Sequence, residues 1–179
     1  MKIGQVYSHL NGVEFLLVHK RDLWEEIQNA VWNVDAGKAF DKISRKKTMV
    51  GRRPYAPSRL NALFKQEFSY HGWHEMRTPY FVNEDLQTTK ETVDIRDKEL
   101  QRQTIMSRGF QPYGTYNQVD FVKERVAVEV QFRKYFSVQY DLHVKHTFFY
   151  GRGDIDAGVE IIPMHSLMSQ MSSGVAWYE

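Results

Sequence analysis

The sequence contains no cysteine among its 179 residues. This absence excludes a disulfide framework and any zinc site built on thiolates, and it fits a reducing compartment. No stretch approaches the roughly 18 consecutive apolar residues of a membrane span, and the opening Met1-Lys-Ile-Gly-Gln lacks the apolar core of a signal peptide. We therefore expect a cytoplasmic protein without a membrane partner.

A strong excess of charge of one sign is also missing, because the formal net charge is only +2. Any contact with nucleic acid must then come from local clustering of basic residues. The composition, 42% hydrophobic and 14% aromatic, is that of a globular protein. A chain of this length has enough residues for one core, so we expect a single domain over residues 1–179.

The densest positive charge lies between Lys42 and Arg53, a segment without a single acid. Its basic residues are Lys42, Arg45, Lys46, Lys47, Arg52 and Arg53. Such a run fits a solvated loop or a segment that contacts phosphates, and both interpretations stay open.

Two amphipathic helices are predicted in the first half of the chain. The first begins with Asp22 as its cap, and the second covers Pro57–Phe68 with Ser58 as cap and Gly72 as stop. The first helix has a core-facing stripe at helical spacing: Leu23, Trp24, Ile27, Ala30, Val31 and Val34. The second turns Leu60, Leu63, Phe64 and Phe68 inward.

Other segments are predicted from the same kinds of pattern. The predicted strands or extended segments are Gly72–Val82 and Ile155–Ile162, and Val13–Val18 is predicted to be a strand or the start of a buried element. Predicted helical segments are Asn83–Arg108, Tyr135–Tyr150 and a short helix over His165–Met171. In Tyr135–Tyr150 the apolar residues recur about every four positions, at Phe136, Tyr140, Val144 and Phe148. The order strand, helix, strand around that segment predicts a parallel crossover.

The stretch from Tyr116 to Phe132 carries the chemistry. Apolar residues alternate with Ala127, Glu129 and Gln131, so Glu129 and Gln131 share one face of a strand. A preceding short strand and the polar turn Lys123-Glu-Arg125 form a hairpin that brings Asp120 beside Glu129. Two carboxylates, helped by a backbone carbonyl such as that of Val130, suit Mg²⁺, and Gln131 could position a water or a phosphate.

The spacing alone is weak, since about one chance match is expected in a chain this long. The solvated face of an ordinary antiparallel strand would look similar. However, a charge in a Val-rich strand is costly unless it has a function. The other metal-ligand candidates are weaker: His74 with Glu75, His143 with His146, and Asp154, Asp156 and Glu160.

Five segments resemble the BglII/BstYI group of type II restriction endonucleases, and the opening resembles the BstYI branch more closely. They are residues 6–12, 116–132, 140–146, 158–164 and 171–174. The likeness follows nearly the whole chain in order, with weaker parts at about 40–57 and 82–114. That group is a branch of the PD-(D/E)xK nucleases in which Gln replaces the usual Lys, and Glu129-Val-Gln131 matches this departure.

The resemblance implies an α/β, PD-(D/E)xK restriction-endonuclease-like fold with a mixed central β-sheet flanked by α-helices. It also implies a bacterial or archaeal homodimer that hydrolyses double-stranded DNA with Mg²⁺ at a palindromic GATC site, as in purine-GATC-pyrimidine, leaving 5′ overhangs. A cognate DNA methyltransferase is implied as a functional partner. Family members continue with further structure beyond the position of Glu179.

The roles that the resemblance implies fall on the same stretch and on two segments after it. Asp120, Glu129 and Gln131 are the catalytic residues, with Asp120, Glu129 and the Val130 carbonyl as metal ligands. The residues expected to contact DNA are Arg133, Lys134, Ser172 and Ser173.

Three other functions remain open from the residues. A nuclease of the same fold could cut by structure in repair or recombination, and a decayed centre would leave a catalytically inactive DNA-binding domain. A protein-interaction module would fit if the basic segment is a passive surface.

Overall fold

The computed structural model describes residues 1–41, 43–45, 47, 49–132, 137–172 and 176–178. Its helices are α1 Gly12–His19, α2 Arg21–Asn33, α3 Pro57–Tyr70, α4 Leu86–Thr92, α5 Lys98–Ser107, α6 Ser137–Tyr140, α7 Thr147–Gly151 and α8 His165–Met168. Its strands are β1 His74–Val82, β2 Tyr113–Lys123, β3 Val126–Val130 and β4 Ala157–Ile161. A 3₁₀ turn covers Ala36–Ala39, and a π-helical segment, Asp141–His146, lies between α6 and α7.

The four strands form one mixed sheet. They are hydrogen-bonded in the order β1-β2-β3-β4, with β2 antiparallel and β4 parallel to β3. Helices flank this sheet, which confirms the predicted α/β fold. The parallel crossover from β3 to β4 is also confirmed.

The chain divides into two compact units. One consists of Met1–His74 together with Asp120–Glu179, and the other is Glu75–Val119. The first unit holds the main hydrophobic core, to which α2, α3 and β3 contribute buried side chains.

The face of β3 that the alternation predicted to be apolar does enter this core. Its buried side chains are Val126, Val128 and Val130, and Phe132, just beyond the strand, is buried with them. Phe132 packs against Phe64 of α3, with their ring centroids 5.5 Å apart, and Phe64 stacks on Phe68. The inward stripes predicted for α2 and α3 are confirmed by the complete burial of Ala30, Leu60 and Phe64.

The segment Val13–Val18 was expected to be a strand or the start of a buried element, and the strand interpretation is wrong. It forms α1, in which Leu16 is buried while Leu17 and Val18 are exposed. Periodicity cannot separate a short apolar strand from a helix. A local signal decides in favour of the helix here, because the Ser8 hydroxyl accepts the N–H of Val13 at its first turn.

Neither predicted cap is a cap. Asp22 lies inside α2, which begins at Arg21, and Ser58 lies inside α3, whose first residue is Pro57. Proline is favoured there because its fixed φ suits a first turn in which no N–H donor is needed. Gly72 follows the end of α3 with φ +79°, a conformation that glycine adopts without steric cost.

The charged region after β1 forms two helices where the sequence predicted one continuous region. Asp85 accepts the N–H of Thr88 and Asp97 accepts the N–H of Leu100, so each aspartate starts a separate short helix.

The apolar stripe of Tyr135–Tyr150, which could serve either a dimer interface or the core, is exposed or half-buried at its described members Tyr140, Val144 and Phe148. Tyr140 and Val144 are 48% and 44% exposed, and the buried side chains are Asp141, His146 and Phe149. A π turn has a wider hydrogen-bonding interval than an α-helix, so it changes which residues face the core. Spacing at four-residue intervals therefore does not identify the buried face. Phe136, also expected in the stripe, lies outside the described residues.

Candidate active site

A tight hairpin places Asp120 next to Glu129. Strands β2 and β3 are joined by Glu124 and Arg125, which have φ of 44° and 68°, as two-residue hairpin turns require. The antiparallel pairing ends at Phe121↔Val128, and Asp120 and Glu129 are the next residues of the two strands. The N–H of Val130 points to Oδ2 of Asp120 at 3.5 Å.

Strand β4 brings a third carboxylate to the same face. In the parallel register Glu129 pairs with Glu160, so the two side chains stand side by side. Glu160 is therefore a stronger candidate metal ligand than the sequence indicated. Asp154 and Asp156 are instead hydrogen-bonded to Arg152 and Arg125.

The π-helical segment adds an acid and a lysine. Lys145 Nζ lies 2.5 Å from Oε1 of Glu129 and 2.7 Å from Oδ1 of Asp141. Gln131 Nε2 donates to Oδ2 of Asp141 at 2.5 Å. A continuous chain of contacts therefore joins Gln131, Asp141, Lys145 and Glu129.

Burial sets the electrostatics of this group. Burial, then the charge of Asp120, raises the pKa of Glu129 to about 8, and the Lys145 ammonium opposes that rise. Burial raises the pKa of Asp141 as well. Burial alone would lower the pKa of Lys145, but Glu129 and Asp141 outweigh it and the pKa is raised. Lys145 is therefore positively charged, and it lies between the acidic side chains of Glu129 and Asp141.

Glu160 and His146 form a buried neutral pair at the edge of this group. Burial raises the pKa of Glu160 to about 10, and burial with the Lys145 charge lowers the pKa of His146 to about 4. Nε2 of His146 lies 3.6 Å from Oε1 of Glu160, too far for a strong hydrogen bond. A β-carbon at Gly158 would overlap the His146 ring, so glycine there makes room for the ring.

The predicted site residues fall into two groups. Asp120, to which the Val130 N–H points, lies close enough to Glu129 to raise its pKa, and Gln131 is linked to Glu129 through Asp141 and Lys145. Ser172 donates its N–H to the Tyr55 carbonyl. Arg133, Lys134 and Ser173, expected to contact DNA, lie outside the described residues.

Sequence reasoning missed Asp141 and Lys145. A signal was present, since an acid and a lysine four residues apart form an ion pair on one side of a helix. The pair also lies in the segment 140–146 that carries part of the resemblance.

The oxygen atoms of this site suit a hard divalent cation, provided that the cation needs only one or two carboxylate ligands from the protein. No three His, Cys, Asp or Glu side chains among the described residues are arranged to hold a metal ion. Mg²⁺ needs fewer, because it is held by one or two carboxylates and keeps several waters. Glu129 offers a buried Oε2 that has no hydrogen-bond partner in the described part of the chain. Asp120, Glu129 and the Val130 carbonyl therefore have suitable donor chemistry.

Comparison with known proteins defines the class and then the family. Residues 4–179 match the family model described as restriction endonuclease BglII/BglIII, so the protein is a restriction endonuclease that acts on double-stranded DNA. Within that class the chain belongs to the BglII/BglIII family. Such enzymes generally use a divalent metal ion. A search of curated proteins finds no match. In the described part of the chain, no helix has the length and apolar character needed to cross a membrane.

Proposed function

We propose that this restriction endonuclease hydrolyses phosphodiester bonds of duplex DNA, with Mg²⁺, at a palindromic site with a central GATC, as in purine-GATC-pyrimidine, and leaves 5′ overhangs. The observation that carries the proposal is the hairpin that sets Asp120 beside Glu129 in a chain of this family. The GATC site and the overhangs rest on the resemblance to the BglII/BstYI group.

In this proposal the hairpin residues divide the work. The carboxylates of Asp120 and Glu129 and the carbonyl of Val130 hold Mg²⁺. When bound, the ion polarises the phosphodiester and lowers the pKa of an attacking water. Gln131 orients the water or the scissile phosphate, and the hydrogen bond from its Nε2 to Asp141 fixes its side chain for that task.

DNA is contacted by residues that follow the catalytic strand. Arg133 and Lys134 come directly after Phe132 in the sequence, beyond Val130, the last residue of the strand that bears Glu129. Cations there would neutralise phosphates or bond to base edges, and the hydroxyls of Ser172 and Ser173 would read base edges in the major groove.

The proposed assembly is a homodimer, because a two-fold axis of the protein matches a palindrome and lets each subunit cut one strand. Exposed apolar side chains on the helix after the catalytic strand, at Tyr140, Leu142 and Val144, support this assembly. We also propose that both compact units act as one nuclease domain, since the family match spans both. A cognate methyltransferase would protect the host DNA.

The decisive experiment is cleavage of unmethylated plasmid with Mg²⁺, followed by sequencing of the ends. Discrete ends at GATC that disappear in Glu129→Gln support the proposal. Glu124→Gln, in the exposed hairpin turn, is the matched control and should cut like the wild type. A plasmid without GATC should stay intact.

Two other results would favour the rival functions. Cutting confined to junctions or flaps would indicate a structure-selective nuclease. Salt-sensitive DNA binding with no metal-dependent cutting would indicate an inactive DNA-binding domain.

A further inference from the structure

In the contact chain of Gln131, Asp141, Lys145 and Glu129, each carboxylate oxygen is bonded to at most one of the other side chains. Lys145 bonds to Oε1 of Glu129, and Oε2 of that carboxylate has no hydrogen-bond partner in the described residues. Asp141 uses one oxygen for Lys145 and the other for Gln131. Each contact therefore fixes one orientation of a side chain that could otherwise rotate.

The burial and charge of these groups explain why the contacts are needed. Glu129 and Asp141 are almost completely enclosed, and the lysine that lies between them is itself largely buried. A buried carboxylate needs a partner, and breaking such a pair leaves an uncompensated charge. Lys145 is the cation that satisfies both acids at once.

We propose that Lys145 and Asp141 are positioning residues of the active site, an inference that rests on the proposed function. Lys145 holds the Glu129 carboxylate with Oε2 turned to the reaction, and Asp141 holds both Lys145 and Gln131. Position 131, just after the catalytic strand, carries the neutral Gln131 in place of the lysine that is usual in PD-(D/E)xK nucleases. The positive charge is supplied by Lys145 of the following π-helical segment.

The first test compares steady-state cleavage by Lys145→Met and Asp141→Asn with the wild type. Loss of a residue that orients a metal-site ligand lowers activity roughly 10- to 100-fold. We expect that loss in kcat, with KM for DNA nearly unchanged. Lys145→Arg should regain most of the lost kcat, because a guanidinium carries the charge and can donate to two carboxylates.

A matched control separates positioning from stability. Lys123 bonds to both carboxylate oxygens of Glu26 at 2.7 Å and is also partly buried. Lys123→Met removes an ion pair of similar length away from the acidic group. It should lower the urea midpoint without lowering kcat at a temperature where the protein is folded.

Two further measurements do not depend on cleavage. The side-chain amide signal of Gln131, followed by ¹⁵N NMR without metal, should shift in Asp141→Asn and Lys145→Met but not in Lys123→Met. Specific DNA binding over a salt series should keep its slope in Lys145→Met. If Lys145 contacted a phosphate instead, the slope would fall by about one.

The double variant Asp141→Asn/Lys145→Met gives the last comparison. Residues that act as one unit lose little more together than singly, whereas independent effects on kcat multiply. The inference is overturned if Lys145→Met keeps wild-type kcat, if only KM and the salt slope change, or if the Gln131 signal is unmoved. If the wild type itself fails to cleave, the proposed function fails, while the Gln131 signal still decides the positioning contacts.

Discussion

Gly158 is a residue at which one added methyl group has a defined obstacle. A β-carbon there would overlap the buried ring of His146, whose displacement disturbs Glu160. We expect Gly158→Ala to lower the free energy of unfolding by about 1–3 kcal/mol, as overpacking does. Urea unfolding would measure it. Gly12→Ala, in a helix and with nothing near its missing β-carbon, should be neutral or slightly stabilising, and an equal loss in both variants would contradict the explanation.

Glu160 makes stability depend on pH in a predictable direction. Its pKa is about 10 in the folded protein against 4.5 for the ordinary group. Within that window the folded protein keeps a proton that the unfolded chain has lost, so the contribution of Glu160 to stability falls as pH rises. Glu160→Gln removes this dependence.

The unfolding free energy of Glu160→Gln should therefore exceed that of the wild type by an amount that grows from about pH 5 to about pH 9. The difference grows because only the wild type takes up a proton when it folds in this pH range. Urea titrations at several pH values would measure it. Near pH 4 the two proteins should differ little, and a difference that stays constant with pH would be contrary to this account.

At the scale of elements, α3 joins the core through aromatic rings. Phe64 is fully buried and packs against Phe68 and against Phe132, which lies just beyond the end of β3. Phe64→Ala should cost about 3–5 kcal/mol of stability, because it removes apolar contact and leaves a cavity. The adjacent, exposed Lys65→Ala should change stability by less than about 0.5 kcal/mol. Thermal unfolding of both variants would check the contrast.

The elements also indicate how far sequence patterns reach. Alternation along β3 predicted which side chains enter the core, because successive side chains of a strand point to opposite faces, although Ala127 and Glu129 on the other face are buried as well. Caps were misplaced by two positions, since the residues that precede α2 and α3 are Lys20 and Ala56 and not Asp22 and Ser58. The helix after β3 was read with a uniform period, and its π turn shifts the buried face to Asp141 and His146.

The candidate site, like the fold, could be predicted from the sequence only in part. A hairpin is a local structure, so Asp120 and Glu129 could be paired from sequence. The contacts of Glu129 with Lys145 and Glu160 join separate elements through a crossover, and only the folded sheet places them. Roles in catalysis and in DNA contact remain predictions that the proposed experiments test.

At the scale of the whole molecule, the proposed homodimer predicts the effect of a charge on the helix after the catalytic strand. Val144 is exposed and apolar, so Val144→Asp would place an unpaired charge in the interface. We expect a shift from dimer to monomer in analytical ultracentrifugation and a loss of linear product relative to nicked plasmid. Trp32→Asp, an exposed apolar residue of α2, is the control. A dimer unaffected by Val144→Asp would place the interface elsewhere.

The hairpin that pairs the two acids has a consequence for how the protein folds. A hairpin closes in roughly 1–10 μs, whereas a parallel pairing waits for its crossover to form. Asp120 and Glu129 therefore meet early, and Lys145, 16 residues beyond Glu129, arrives with later structure. For that interval the nascent site is a pair of like charges without its cation. Early folding should then be slowed by its own carboxylates and be accelerated by salt, which screens their repulsion.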